Sequence, residues 1–309
     1  MSSILISEFI TSQALESLSA KHKVVFEPEL HKNPEKLIAA VQNTDALIVR
    51  NQTKVDSELL LNAPHLKVVG RLGVGLENID LGVCAARNIK VIPATGANAD
   101  SVAEYVIGSA ITLIRGLIPA TYACYKGEWP RQSFVEYREA SKKILGIVGF
   151  GSIGKILAEK AHAFGFQCIA HDPLITTPVV SLVNGSVPIL PLNQLLSQSD
   201  VISLHLPLIP QTKDLFNGVL LDQIKRGACL INTARGGILD EYALADRLKS
   251  GHLLGAAIDV FSSEPARDLS HFWGIQNLIL TPHIAGVTRE SNERVSQMIA
   301  DEILEFLEA

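Results

Sequence analysis

The residues of this chain that could do chemistry lie in a few short segments. GFGSIG at 149–154 follows an apolar run and opens a helical one. Gly149 permits a tight turn, Gly151 lets the backbone approach a pyrophosphate, and Gly154 lets the helix press on the strand. A helix N-terminus placed there offers free N–H groups to an anion. Asp172 follows Gly154 by 18 residues and closes the next apolar run. A carboxylate at that point can accept hydrogen bonds from an adenosine ribose. It would repel a 2′-phosphate, and neither His171 nor Pro173 supplies the arginine to hold one, so NAD is expected rather than NADP.

Nicotinamide chemistry needs a group that moves the hydroxyl proton and a cation that orients a substrate carboxylate. Three later segments offer these groups: INTARGGILD at 231–240 with Arg235, FSSEP at 261–265 with Glu264, and TPHIAG at 281–286 with His283. Each stands just past a β-type run, and in an open α/β sheet the ligand crevice lies outside the carboxyl ends of the strands. His283 would exchange the proton, Glu264 would fix which ring nitrogen faces the substrate, and Arg235 would present a planar fork to a carboxylate. Each residue alone is an ordinary surface or strand-end residue; together, after a dinucleotide motif, they describe a site for nicotinamide oxidoreduction of a substrate that carries a carboxylate. His205, in SLHLPL at 203–208, is expected to line the cofactor or serve the structure rather than transfer protons. The remaining histidines form no i, i+4 pair and no HExxH, so no metal is expected.

Elements that could carry these groups are legible as alternating patterns. ILIS at 4–7, VVF at 24–26, ALIV at 46–49, LKVVG at 66–70 and the run at 90–92 read as strands, each but the last followed by helix-period residues. A long helical pattern spans about 100–125. A second alternation starts at Lys143, with strands at 144–149, 166–171, 200–206, 228–232, 254–260 and 278–281 and helices at 152–164, 240–249 and 288–307. The expected class is α/β, with two doubly wound parallel-sheet domains. The stretch 173–199 has no charged residue but four prolines, and is expected to be a loop-rich segment.

Composition agrees with that class. At 309 residues the chain has room for two domains, 47% hydrophobic and 19% charged residues exclude a disordered chain, and a net charge of −5 without charge runs gives no reason to expect nucleic acid or anionic lipid as partners. Cys84, Cys124, Cys168 and Cys229 form no CxxC, which excludes a zinc or disulfide framework and leaves four reduced thiols. MSSILISEF lacks the positive start of a signal peptide, so a cytoplasmic location is expected.

GFGSIG, SLHLPL, NTARGG, SEP and TPHIAG, in this order, resemble the D-isomer-specific 2-hydroxyacid dehydrogenase family over essentially the whole chain. The resemblance implies that Arg235, Glu264 and His283 are catalytic. It implies cofactor contacts at Ser152, Ile153 and Asp172, at Thr233, Ala234 and Asp259 near the nicotinamide, and at Gly286. It also implies a Rossmann NAD domain over 98–283, inserted into a flavodoxin-like substrate domain of 1–97 and 284–309. A homodimer joined through an arm at about 100–134, which includes Trp129, is implied as well, as is closure on ligands about hinges near 97–98 and 283–285. The loop GRLGVGLENID at 70–80 would hold the substrate carboxylate on the N–H groups of Val74 and Gly75.

IVRNQTKV at 48–55, with ISEF at the start, resembles the phosphoglycerate and sulfolactate dehydrogenase branch, and places Arg50 against an anionic C3 substituent of the substrate. Only 26 residues follow His283, so an appended amino-acid-binding regulatory domain is not expected. Two alternatives stay open: a reductase of small neutral-tailed keto acids such as hydroxypyruvate or glyoxylate, and an NAD-sensing protein-interaction module of the corepressor type.

Overall fold

Strands and helices alternate along all 309 residues described by the computed structural model. In chain order the elements are β1 Ser3–Ile6, α1 Ser12–Ser19, β2 Lys23–Phe26, α2 Pro34–Val41, β3 Ala46–Val49, α3 Ser57–Leu61, β4 Val68–Arg71, α4 Leu81–Ala86, β5 Lys90–Pro93, α5 Ala99–Ile114, α6 Leu117–Tyr125 and β6 Ile144–Val148. There follow α7 Ser152–Ala163, β7 Gln167–His171, β8 Val179–Leu182, β9 Gly185–Pro188, α8 Leu192–Gln198, β10 Val201–Leu204, α9 Gly218–Leu221, β11 Cys229–Asn232, α10 Glu241–Lys249, β12 Gly255–Ile258, β13 Leu278–Leu280 and α11 Arg289–Glu308. The chain divides into two units, Met1–Asn98 with Val287–Ala309, and Ala99–Gly286.

In the first unit five parallel strands lie in the order β2-β1-β3-β4-β5, a doubly wound arrangement of the flavodoxin type. The β3 sequence ALIV is buried throughout, as a strand covered on both faces must be. Ile4, Ile6, Ile48 and Val68 meet Ile299 and Ile303 of α11 on one side of the sheet, while Leu5, Leu47, Val49 and Val69 meet Leu37, Leu59 and Leu60 on the other. Helix starts are set by side-chain caps: Asn33 accepts from Lys36 N–H, Asp56 from Leu59 N–H, and Asp80 from Val83 N–H.

In the second unit six parallel strands lie in the order β13-β12-β11-β10-β6-β7. Ile189 adds a parallel bridge to Ala170 at the β7 edge, which completes a Rossmann-type order. The order reverses between β6 and β10, so the crevice expected at such a switch point opens beside the Gly149 turn.

Two local expectations are corrected. The helical pattern over 100–125 is two helices, because Gly116 adopts a left-handed conformation with φ of 60° and ends α5; a Cβ there would collide with the Tyr137 ring. The uncharged stretch 173–199 is more than loop: β8 and β9 form an antiparallel hairpin and α8 follows. Asn184-Gly185 between two short apolar runs is the turn signal that outweighs the prolines. No single helix is long and apolar enough to cross a membrane. Cys84, Cys168 and Cys229 are buried free thiols and Cys124 is exposed; burial pushes Cys168 and Cys229 up to about 12, which leaves both unreactive.

Candidate active site

The Gly149 turn carries the backbone from β6 into α7. Gly149 has φ of 91°, and a Cβ there would lie 2.4 Å from the His205 carbonyl oxygen. At Gly154 a Cβ would lie 2.6 Å from the Gly149 carbonyl oxygen, so the helix and the turn meet in a space only glycine fits. Gly151 is the exception, since nothing stands within 4 Å of its missing side chain. It is the N-cap of α7 and provides no capping side chain, which leaves the helix N-terminus, with exposed Ser152 and half-buried Ile153, open to an anion. At the end of β7, Asp172 accepts from Phe150 N–H at 2.9 Å and from Leu174 N–H at 3.0 Å, one bond to each carboxylate oxygen.

His205 follows β10 and donates its backbone N–H to the Val148 carbonyl at 2.7 Å. Its Nε2 meets the Ser203 hydroxyl at 2.9 Å, and its Nδ1 is shielded from solvent without a partner. Burial holds the ring down at about 4, so it is neutral at ordinary pH and carries no acid/base role there. Thr233, past β11, likewise has a buried hydroxyl without a partner.

Glu264 and His283 stand beyond β12 and β13. The Glu264 carboxylate accepts Phe261 N–H at 3.0 Å through Oε1 and meets His283 Nδ1 at 2.7 Å through Oε2. That pairing leaves Nε2 as the free nitrogen of a half-exposed ring. The backbone at His283 is left-handed, with φ of 56°, a conformation uncommon for residues other than glycine and maintained by neighbours. Asp259 supplies them: its carbonyl accepts His283 N–H at 2.8 Å, and its carboxylate accepts Ile284 N–H and Ala285 N–H at 2.8 Å each and the Thr281 hydroxyl at 2.6 Å. A carboxylate has about four acceptor sites, so one remains for a further donor. Tyr105 of α5 stands behind Thr281 at 2.6 Å, with its own hydroxyl raised by burial.

Arg235 lies in the loop after β11. Asn232, almost fully buried, accepts Ala234 N–H and donates to the Arg235 carbonyl, which fixes this turn, and the guanidinium bonds the Ala234 carbonyl at 2.7 Å. A Cβ on Gly236 would lie 1.7 Å from the Phe261 carbonyl oxygen, so the Arg235 loop packs backbone to backbone on the loop that carries Glu264. Gly286 is the last residue of this unit.

The first unit has its own polar constellation. Glu8, only 3% exposed, accepts Arg50 N–H and Thr53 N–H through one oxygen and Gln52 N–H through the other. The loop after β3 is thereby wrapped around a carboxylate. The Arg50 guanidinium bonds the Asn292 side-chain oxygen at 2.5 Å and lies 5.5 Å above the Phe9 ring. Burial lowers its basicity while the Glu8 charge pushes back. Past β4, the Val74 and Gly75 N–H groups donate to no group of the chain. Arg71 lies beneath that loop and bonds the Leu72 carbonyl at 3.2 Å.

A family model described as D-isomer specific 2-hydroxyacid dehydrogenase, NAD binding domain, matches residues 107–285. The chain belongs to this family. It is 46% identical over 304 residues to an (S)-sulfolactate dehydrogenase of Chromohalobacter salexigens, covering 98% of this chain and 97% of that one. It is 38% identical over 269 residues to a D-3-phosphoglycerate dehydrogenase of Mycobacterium bovis, covering 87% of this chain and 50% of that protein, so it spans about half the length of that relative. Among solved structures, a D-lactate dehydrogenase of Aquifex aeolicus complexed with NAD and lactic acid superposes with a TM-score of 0.82 at 27% identity, covering 99% of this chain and 95% of that one.

As a 2-hydroxyacid dehydrogenase the protein uses NAD and a small-molecule substrate. The chain's own features fit that cofactor: clear space at Gly151, an uncapped α7 N-terminus, and unpartnered polar atoms on Thr233 and His205. Three groups escaped the sequence analysis. Glu8 and Glu241 are carboxylates whose partners are backbone N–H groups far along the chain, which no motif announces. Arg71 ends β4 as Arg50 follows β3, and that parallel placement was a usable signal.

Proposed function

We propose that this dehydrogenase interconverts a D-2-hydroxy acid and its 2-keto acid with Arg235, Glu264 and His283 as the catalytic residues. The observation that carries this is the 2.7 Å bond from His283 Nδ1 to Glu264, which leaves Nε2 as the ring nitrogen available for proton exchange. In the reducing direction His283 Nε2 gives its proton to the carbonyl oxygen, and in the oxidising direction it takes the hydroxyl proton back. NAD supplies or accepts the hydride. Arg235 binds the substrate carboxylate as a bidentate fork, and the Val74 and Gly75 N–H groups bind it as well. Gly149, Gly151, Ser152, Ile153 and Gly154 cradle the pyrophosphate and Asp172 the adenosine ribose. His205, Thr233, Ala234, Asp259 and Gly286 line the nicotinamide end.

Arg50 selects a substrate with an anion on C3, either 3-sulfolactate or 3-phosphoglycerate, or the matching keto acid. Support comes from a half-buried guanidinium whose partners are a neutral amide and an aromatic ring. The 46% relative is named for (S)-sulfolactate. Sulfur outranks oxygen in the priority rules, so that (S) descriptor denotes the same spatial arrangement as a D-2-hydroxy acid such as D-lactate. The enzyme works as a cytoplasmic homodimer joined through the arm at 100–134, where Leu117, Tyr122, Tyr125 and Trp129 are exposed.

The test follows NADH absorbance with purified protein and a panel of 3-sulfopyruvate, 3-phosphohydroxypyruvate, hydroxypyruvate, glyoxylate and pyruvate. One of the two anionic keto acids should have the highest kcat/KM. Silence across the panel with NADH still bound would favour the interaction-module alternative, and faster turnover of a neutral-tailed acid would reassign the substrate.

A further inference from the structure

The loop that carries Glu264 is held by a second carboxylate, which packs beside a histidine without a hydrogen bond to it. Glu241, the first residue of α10, accepts Ser262 N–H at 2.6 Å through Oε1. Its Oε2 lies 3.6 Å from His271 Nε2, and both side chains are nearly closed to solvent, at 10% and 8% exposure. His271 is in turn clamped between rings, with centroids 4.6 Å from Tyr242 and 4.2 Å from Phe272, the latter seated in the core. Asp268 is electrostatically coupled to His271.

Glu241 sits where the two catalytic loops meet. The residues just before it, 233–240, form the Arg235 loop, and Gly236 of that loop presses on the Phe261 backbone. Phe261 N–H is bonded by Glu264 itself, and the next N–H along, Ser262, is bonded by Glu241. Two carboxylates thus grip adjacent amides of one turn, one facing His283 and the other facing His271. A carboxylate gripping an N–H makes a charge-assisted bond, stronger than a neutral one. Glu264 is exposed enough to need such fixing, since displacement of a reacting group by about 1 Å costs about a hundred-fold in rate.

We propose that Glu241, steadied by His271, is a positioning residue that sets the Glu264 carboxylate against His283 and ties it to the Arg235 loop. This rests on the assignment of Glu264 and His283 as the proton-handling pair. Glu241 touches neither substrate nor cofactor; it acts through the Ser262 amide.

The test compares Glu241→Ala, Glu241→Gln, His271→Phe and Glu264→Gln with the unaltered enzyme, reading kcat, KM for the keto acid, NADH affinity, thermal midpoint and the pH profile of kcat. Glu241→Ala should lower kcat about ten-fold while KM and NADH affinity stay within about two-fold, the split expected when a transition-state interaction is loosened. It should also move the alkaline limb of the reductive pH profile in the same direction as Glu264→Gln. Glu241→Gln keeps an oxygen that accepts Ser262 N–H and should recover most of the loss. His271→Phe preserves the ring packing and should give a smaller change of the same kind, which keeps the test open should Glu241→Ala fold poorly. The proposal is overturned if folded Glu241→Ala or His271→Phe keeps the original kcat and pH limb, or if kcat falls with the limb unmoved. If Glu264→Gln leaves the limb in place, the assignment of the pair itself fails; if only the Glu241 and His271 variants leave it in place, the positioning role alone fails.

Discussion

Each unit buries one carboxylate at the carboxyl edge of its sheet and wraps a functional loop around it. Glu8 holds the N–H groups of Arg50, Gln52 and Thr53, and Asp259 holds those of Ile284 and Ala285 with the Thr281 hydroxyl. The two clamps differ in what they present. Beside Asp259, His283 is held in a left-handed backbone conformation and already bonded to a second carboxylate, Glu264. Beside Glu8, Arg50 reaches only a neutral amide and a ring, with no carboxylate bonded to its guanidinium. One clamp presets an imidazole, the proposed proton donor, and the other presets a cation. In the proposed reaction this divides turnover from selection, so damage to the Asp259 clamp should appear in kcat and damage to the Glu8 clamp in KM for anionic substrates.

The widest separation should come from His283→Ala, which removes the proposed proton donor and is expected to lower kcat by about 10²–10⁴-fold with little change in NADH affinity. Near-normal steady-state turnover of that variant would remove His283 from the mechanism. Next in size are the clamps themselves. Asp259→Asn and Glu8→Gln each turn an amide N–H₂ against backbone donors and should cost about 1–3 kcal/mol of stability in chemical denaturation. Only Asp259→Asn should also depress kcat, whereas Glu8→Gln should act mainly on KM; a matched loss of kcat in both would erase the distinction.

Glu264→Gln keeps the shape of the pair and removes its charge. Loss of that charge should lower kcat about ten-fold in steady-state assays, with KM and NADH affinity held within about two-fold. The smallest effect is outside the site. At Asp200, burial alone would raise the carboxyl, but Ile144 N–H, Lys225 and Arg138 outweigh it and hold the group below 3.8. A depressed carboxyl stabilises the fold above its unfolded value and loses that contribution as pH falls through the folded one. Asp200→Asn should therefore cost about 1 kcal/mol near neutrality, and the difference should vanish in acid melts.

Much of this was legible in the sequence, and the reason is local. The Gly149 turn, the strand runs and the Arg235, Glu264 and His283 segments announce themselves through residue type and spacing within a few positions. The break in the long helical pattern is invisible in the sequence because apolar periodicity continues through Gly116, and only the backbone angle there shows it. The clamps were illegible for another cause. Glu8 meets amides 42 to 45 positions away, and Asp259 meets amides 25 and 26 positions away, pairings created by the stacking of strands rather than by any pattern in the chain. Only family resemblance points to Asp259 in the sequence, as a cofactor contact, while its carboxylate also holds the His283 loop.

The contrast between the two clamps stands or falls on Arg50. The direct measurement is kcat/KM for 3-sulfopyruvate, 3-phosphohydroxypyruvate and pyruvate, side by side, with the unaltered enzyme and with Arg50→Ala. The account predicts that the better anionic substrate exceeds pyruvate by about ten- to hundred-fold, the worth of a charge-assisted hydrogen bond of about 1.5–3 kcal/mol, and that Arg50→Ala closes most of that gap through KM. Pyruvate turning over as fast as either anionic acid, or a gap unchanged in Arg50→Ala, would contradict it and leave Arg50 as a packing residue of the first unit.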